Sequence, residues 1–82
     1  MTGLKESSIE KLERLGEEYE RGKMLRPDSE VEIDIVDNEV YLCDYSEIRE
    51  SAEQVAKICD LKDIDIDDIT RVCDEHHWSI CL

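Results

Sequence analysis

Val31-Glu32-Ile33-Asp34-Ile35-Val36-Asp37-Asn38-Glu39-Val40-Tyr41-Leu42-Cys43-Asp44-Tyr45 alternates apolar and acidic side chains on both sides of Asp37-Asn38. That pattern predicts a β-hairpin closed by a two-residue turn. With Asp37-Asn38 at the turn, Ile35 faces Val40, Ile33 faces Leu42 and Val31 faces Asp44. Residues directly opposite share a face, so Val31, Ile33, Ile35, Val40 and Leu42 fall together on one side. The other side carries Glu32, Asp34, Val36, Glu39, Tyr41, Cys43 and Tyr45. A slip of one residue would turn every apolar side chain outward, so the pattern itself sets the register. No Lys or Arg occurs between Pro27 and Ile48. The stretch holds no catalytic signature, and function has to be read from the charge it displays.

Working outward, Ser7 and Glu10 form a capping box that starts a helix. Ile9, Leu12, Leu15 and Tyr19 then recur on one face at helical spacing. Gly16 weakens the middle of that helix, and Gly22 is its end signal. Met24 and Leu25 anchor the exit before Pro27 stops helical continuation, and Pro27-Asp28-Ser29 turns the chain into the hairpin. Met1 to Glu6 reads as a frayed tail. Beyond the hairpin, Asp44 or Ser46 caps a second helix whose stripe is Ile48, Ala52, Val55 and Cys59, packed on the Ile33/Leu42 face. A short connection over Asp60–Asp65 leads to a third helix through Ile66, Ile69, Val72 and Cys73. His77 to Leu82 alternates again, as a closing strand with Trp78, Ile80 and Leu82 inward. The reading is one α+β domain over residues 1–82, in the order α-β-β-α-α-(β). Its helices pack on a two- or three-stranded sheet built on the central hairpin.

Eighty-two residues suffice for one domain with a small core, burying about 60–65% of the unfolded chain's surface. The net charge of −13 is unevenly spread. Residues 1–27 hold six acidic and six basic side chains, whereas residues 28–82 hold seventeen acidic and four basic ones. Self-repulsion of this kind opposes compaction, so folding does not account for it. High-salt adaptation is a poor explanation as well. The chain has nine Ile and only two Ala, and its first third is neutral. No apolar run approaches the ~20 residues of a membrane span, and the start has no apolar signal core. The expected setting is cytoplasmic, the host-cell cytoplasm if the protein is phage-encoded.

Several chemistries are weighed and set aside. Cys43, Cys59, Cys73 and Cys81 contain no C-x-x-C pair, and their fit to the apolar pattern reads as buried free thiols of a reducing compartment. Asp63, Asp65, Asp67 and Asp74 faintly echo a calcium loop, but Asp68 stands where the turn needs Gly, and a helix start explains them better. Cys73, His76, His77 and Cys81 form a Cys/His group that, with Cys43 or Cys59, is a candidate zinc site and the second alternative function. A Cys73/His76 nucleophile pair is disfavoured because acidic surroundings raise a thiol pKa. The Asp-Ser-Leu attachment motif of acyl carrier proteins is absent, and so is a Gly-rich phosphate loop. Direct nucleic-acid binding is excluded because phosphates would be repelled. No catalytic residue, cofactor or resident metal is assigned.

The acidic hairpin is what is left. Alternate strand residues lie ~6.6–6.8 Å apart, so Glu30, Glu32 and Asp34 make a regular row. That spacing is comparable with the separation of phosphates along a nucleic-acid strand, which carries one charge per ~3.4 Å of rise. Asp37, Glu39, Asp44 and Glu47 extend the field, and Tyr41 and Tyr45 are candidate contact anchors. In charge, length and α+β make-up the chain is similar to phage-encoded anti-CRISPR and anti-restriction proteins that act as nucleic-acid mimics. The resemblance implies a non-enzymatic inhibitor whose partner is a basic nucleic-acid-binding groove. The alternative is a regulatory adaptor or antitoxin-like subunit that binds through apolar helix surface.

Overall fold

The computed structural model describes residues 6–22 and 28–82. Helix α1 spans Ser8–Arg21, and strands β1 (Ser29–Val36), β2 (Glu39–Ser46) and β3 (Ser51–Asp60) follow. A 3-10 turn at Leu61–Asp63 leads to helix α2 (Ile66–His76) and the short strand β4 (Ser79–Cys81). The sheet order is β3-β2-β1-β4, antiparallel except for the parallel β1–β4 pair. The result is an α+β domain with a helical layer on one face of a four-stranded mixed sheet.

The central hairpin has the register that alternation demands. Ile35 pairs with Val40, Ile33 with Leu42 and Val31 with Asp44. Asp37 and Asn38 both have positive φ, 53° and 62°, which is the type I′ geometry that matches strand twist. Both expected helix signals at the start of the chain are also in place. The Ser7–Glu10 capping box is complete, and Leu12 is buried with Ile9, Leu15 and Tyr19 packed beside it. Gly22 caps the helix at φ −72°, so its left-handed freedom is not used. Met24, Leu25 and Pro27 lie outside the described residues, as do Met1–Lys5. Glu6 is held by Arg14 through bonds of 2.6 and 2.9 Å.

One element differs from expectation. The segment read as a second helix from Ser46 to Cys59 is a four-residue loop followed by β3. Two register shifts explain why period 2 is invisible there: Val40 pairs with Cys59 but Tyr41 with Lys57, and Leu42 pairs with Ala56 but Cys43 with Gln54. Each bulge inserts an extra residue and resets the phase of the strand. Ala52, Val55 and Cys59 therefore fall at helix-like intervals while the backbone is extended. Ile48, expected in the apolar stripe, sits in the loop and is 75% exposed. Glu50 closes that loop with φ 53°.

The face covered by helices is the apolar one. Leu12 from α1 and Ile69, Val72 and Cys73 from α2 form one core with Val31, Ile33, Val40, Leu42, Ile58 and Trp78. α2 begins where expected, with Asp65 as its N-cap accepting from the Asp67 amide at 2.8 Å. Its end is set by His77 at φ 60° and a bond from the Trp78 amide to the Cys73 carbonyl at 2.8 Å, a Schellman-type closure. β4 then forms beside β1. Trp78 and Ile80 pack inward, but Leu82 lies past the strand and is exposed, contrary to expectation. Gly16 has a packing reason: a Cβ there would lie 2.3–2.8 Å from three indole atoms of Trp78.

Candidate interaction surface

With both helices on the apolar face, the other face of the sheet is covered by no element among the described residues. Strand alternation sends Glu30, Glu32, Asp34 and Val36 of β1 to that open face, together with Glu39, Tyr41, Cys43 and Tyr45 of β2. Ser79 and Cys81 of β4 and Gln54 and Lys57 of β3 complete it by register. Ser79 donates its hydroxyl to Glu30 at 2.6 Å, which ties the end of the row to β4.

Among the described residues, none of Glu30, Glu32 and Asp34 forms an ion pair with Lys or Arg, although Arg14, Arg21, Arg49, Lys57 and Arg71 all pair elsewhere. The electrostatic consequence falls on Glu32. Its pKa is pushed up to about 7, first by burial and then by a hydrogen bond with Asp34 and the charges of Asp34 and Glu30. One Asp34 oxygen is buried and has no hydrogen-bond partner. Beside them, Cys43 is fully buried, and its thiol is pushed up to about 12 by burial and by Asp34.

The remaining sequence-derived candidates divide. Asp37 is exposed at the hairpin turn and Glu47 is exposed at the opposite end of β2, beside Asp28, Ser29 and Glu30. Glu39 is compensated: Lys57 reaches it at 2.7 Å and Tyr41 donates its hydroxyl at 2.6 Å, and together they hold its carboxyl below the usual range. Tyr41 and Tyr45 are half-buried on the open face. Asp44 is placed elsewhere. It is 1% exposed on the core face, where Tyr19 donates at 2.9 Å and Arg49 at 3.1 Å. Arg49 also reaches Ser29 at 3.2 Å, so this carboxylate joins α1, the β2–β3 loop and the start of β1. The alternation placed Asp44 opposite Val31, on the core face; the Tyr19–Arg49 cradle that makes a charge tolerable there is a tertiary feature.

The Cys/His group does not converge. Cys73 is buried in the core, with burial raising its thiol to about 11, and His77 is exposed at the helix end. Cys81 is exposed rather than buried, and all four cysteines are free. His76 turns instead toward Glu13 and Glu17 of α1. Asp65 and Asp67 serve as cap and first turn of α2, as a helix start requires, while Ile64 packs on the core and Ile66 is exposed. Acidic side chains also line the outside of α2, but Arg71 lies between Asp68 and Glu75, at 3.5 and 3.6 Å. No helix among the described residues is long and apolar enough to cross a membrane. No protein-family model, curated protein or solved structure matches the chain.

Proposed function

We propose that this chain is a non-enzymatic acidic binding protein that lays the open face of its sheet into a basic, nucleic-acid-binding groove of a partner, as anti-CRISPR and anti-restriction mimics do. The observation that carries the reading is the row Glu30, Glu32 and Asp34, aligned on one strand and without a Lys or Arg partner among the described residues. Glu32, whose pKa is raised first by burial and then by its hydrogen bond with Asp34 and the charges of Asp34 and Glu30, sits where negative charges add to the cost of ionisation. A cationic surface relieves that repulsion, so the face is poised for a basic partner and gains nothing from solitude. Asp37 and Glu47 extend the field at the two ends of the hairpin, with Tyr41 and Tyr45 as apolar anchors inside it. Asp44 serves the fold, and Glu39 contributes through its pairing with Lys57. Such a protein works in the compartment of the nuclease it blocks, the cytoplasm of a host cell.

The test is inhibition of DNA cleavage by a panel of RNA-guided and restriction nucleases, at low and moderate salt. The reading expects at least one nuclease to be inhibited at low salt, with inhibition falling steeply as salt rises. Exchanging Glu32 and Asp34 for Lys removes it. Inhibition that ignores both salt and these substitutions favours the adaptor reading. A mostly apolar groove between α1 and the sheet, lined by Leu15, Glu18, Tyr19, Leu42, Val55 and Ala56, is the surface that reading would use.

A further inference from the structure

Away from the acidic face, α1 and the end of α2 meet at three side chains of mixed chemistry. Glu13 and Glu17 stand one turn apart on α1, and His76 is the last residue of α2. The His76 Nε2 lies 2.9 Å from Glu13 Oε2 and 3.6 Å from Glu17 Oε2. All three ligand atoms fall within 4.8 Å of one another, and all three residues are half-buried. A hydrogen bond accounts for the first distance only. One ring nitrogen cannot serve both carboxylates, and the second lies beyond hydrogen-bond reach.

A cation serves both. Zinc sits ~2.0–2.2 Å from carboxylate oxygen and imidazole nitrogen, which sets neighbouring donors roughly 3.0 Å apart in octahedral and 3.4 Å apart in tetrahedral arrangement. The two His76 distances bracket those edges. The imidazole is also held in place. It stacks on Trp78 with ring centroids 4.2 Å apart and planes within 13°. Trp78 is in turn seated against Gly16, between the two glutamates in the chain, where any Cβ would collide with the indole. A ligand ring fixed by its surroundings toward two carboxylates is the organisation that metal sites use.

We propose that Glu13, Glu17 and His76 form a binding site for a divalent first-row transition ion, zinc being the occupant, which clamps α1 to the end of α2. Two carboxylates and one imidazole suit this class of ion, and water fills the remaining positions. The site is distinct from the scattered cysteines and independent of the acidic sheet face.

The test uses full-length protein stripped with chelator and then titrated with zinc, and separately with cobalt. Equilibrium dialysis is expected to retain one zinc per chain and the thermal midpoint to rise. Cobalt is expected to quench the fluorescence of the chain's single tryptophan, Trp78, without thiolate-to-cobalt charge-transfer bands. H76Q and E13Q should each weaken zinc binding at least tenfold. E13Q changes a helix-surface residue, so it decides the matter if H76Q does not fold. Failure of the wild-type chain to retain zinc overturns the proposal. So does binding undiminished in E13Q and E17Q, or binding that vanishes instead in C59S/C81S.

Discussion

β2 belongs to two hairpins that differ in every respect but the strand they share. On one side, β1 and β2 pair without interruption through a two-residue type I′ turn, and β1 carries its acidic row with no cationic partner among the described residues. On the other, β2 and β3 meet across a four-residue loop with two register shifts, and Lys57 sits between Glu39 and Asp60 at 2.7 and 2.8 Å. The second hairpin is neutralised as ordinary surfaces are. The first keeps its Asp44–Arg49 pair on the core face, while on the opposite face the pKa of Glu32 is pushed up to about 7, first by burial and then by Asp34 and Glu30. Equal acidity along a sequence therefore conceals two different physical states.

The largest effect that sharpens this contrast comes from Asp44, the acidic residue of the first hairpin that faces inward. Asp44→Ala leaves Tyr19 and Arg49 without their shared acceptor and is expected to lower stability by about 2–4 kcal/mol in urea unfolding. A change under about 0.5 kcal/mol would mean the carboxylate does not join the elements around it. Next comes binding. The paired reversal E32K/D34K should weaken nuclease inhibition roughly 100-fold, or about 2.7 kcal/mol, while leaving the circular dichroism spectrum intact. Equal loss from reversing Glu53 on β3 would erase the distinction between the two hairpins.

A smaller effect concerns pH. Glu32 has a folded pKa raised to about 7 from an ordinary value of 4.5, so the native state binds the extra proton. Its contribution is fully present below about pH 4.5 and is lost as pH rises through 7. Wild-type urea midpoints should decline across that window, and E32Q, which cannot ionise, should flatten the decline. Glu10, Glu39 and Asp60 are held below their ordinary values by hydrogen bonds and Lys57, so their contributions disappear at the acid end instead. The two trends act at opposite ends of the acid range, Glu32 favouring low pH and the other three opposing it. The smallest effect is expected from K57A, which removes two exposed ion pairs on the neutralised hairpin. Its thermal midpoint should barely move, as isolated surface pairs contribute little.

The same pair of hairpins shows what can be read from a chain without its fold. The β1–β2 register, the capping box at Ser7, the α2 start at Asp65 and the strand character of Ser79–Cys81 each rest on interactions within a few residues, or on unbroken periodicity. Ser51–Asp60 could not be read that way. Its bulges reset the alternation, and the apolar positions that remained matched a helix. The acidic row was legible for the reason the hairpin was: alternate residues of one strand share a face whatever else the chain does.

What the sequence determined by itself was therefore local and periodic: the central strands and their pairing, both helix starts, and the alignment of Glu30, Glu32 and Asp34. The tertiary structure alone decided which of two sheet faces the helices covered and which of the described charges found partners. It also decided that Asp44 would be enclosed by Tyr19 and Arg49, and that His76 would meet Glu13 and Glu17. Those contacts join residues 25 and 63 positions apart in the chain. No spacing rule reaches that far, because such contacts arise only when layers pack, and packing selects side chains by the space and charge that distant elements bring.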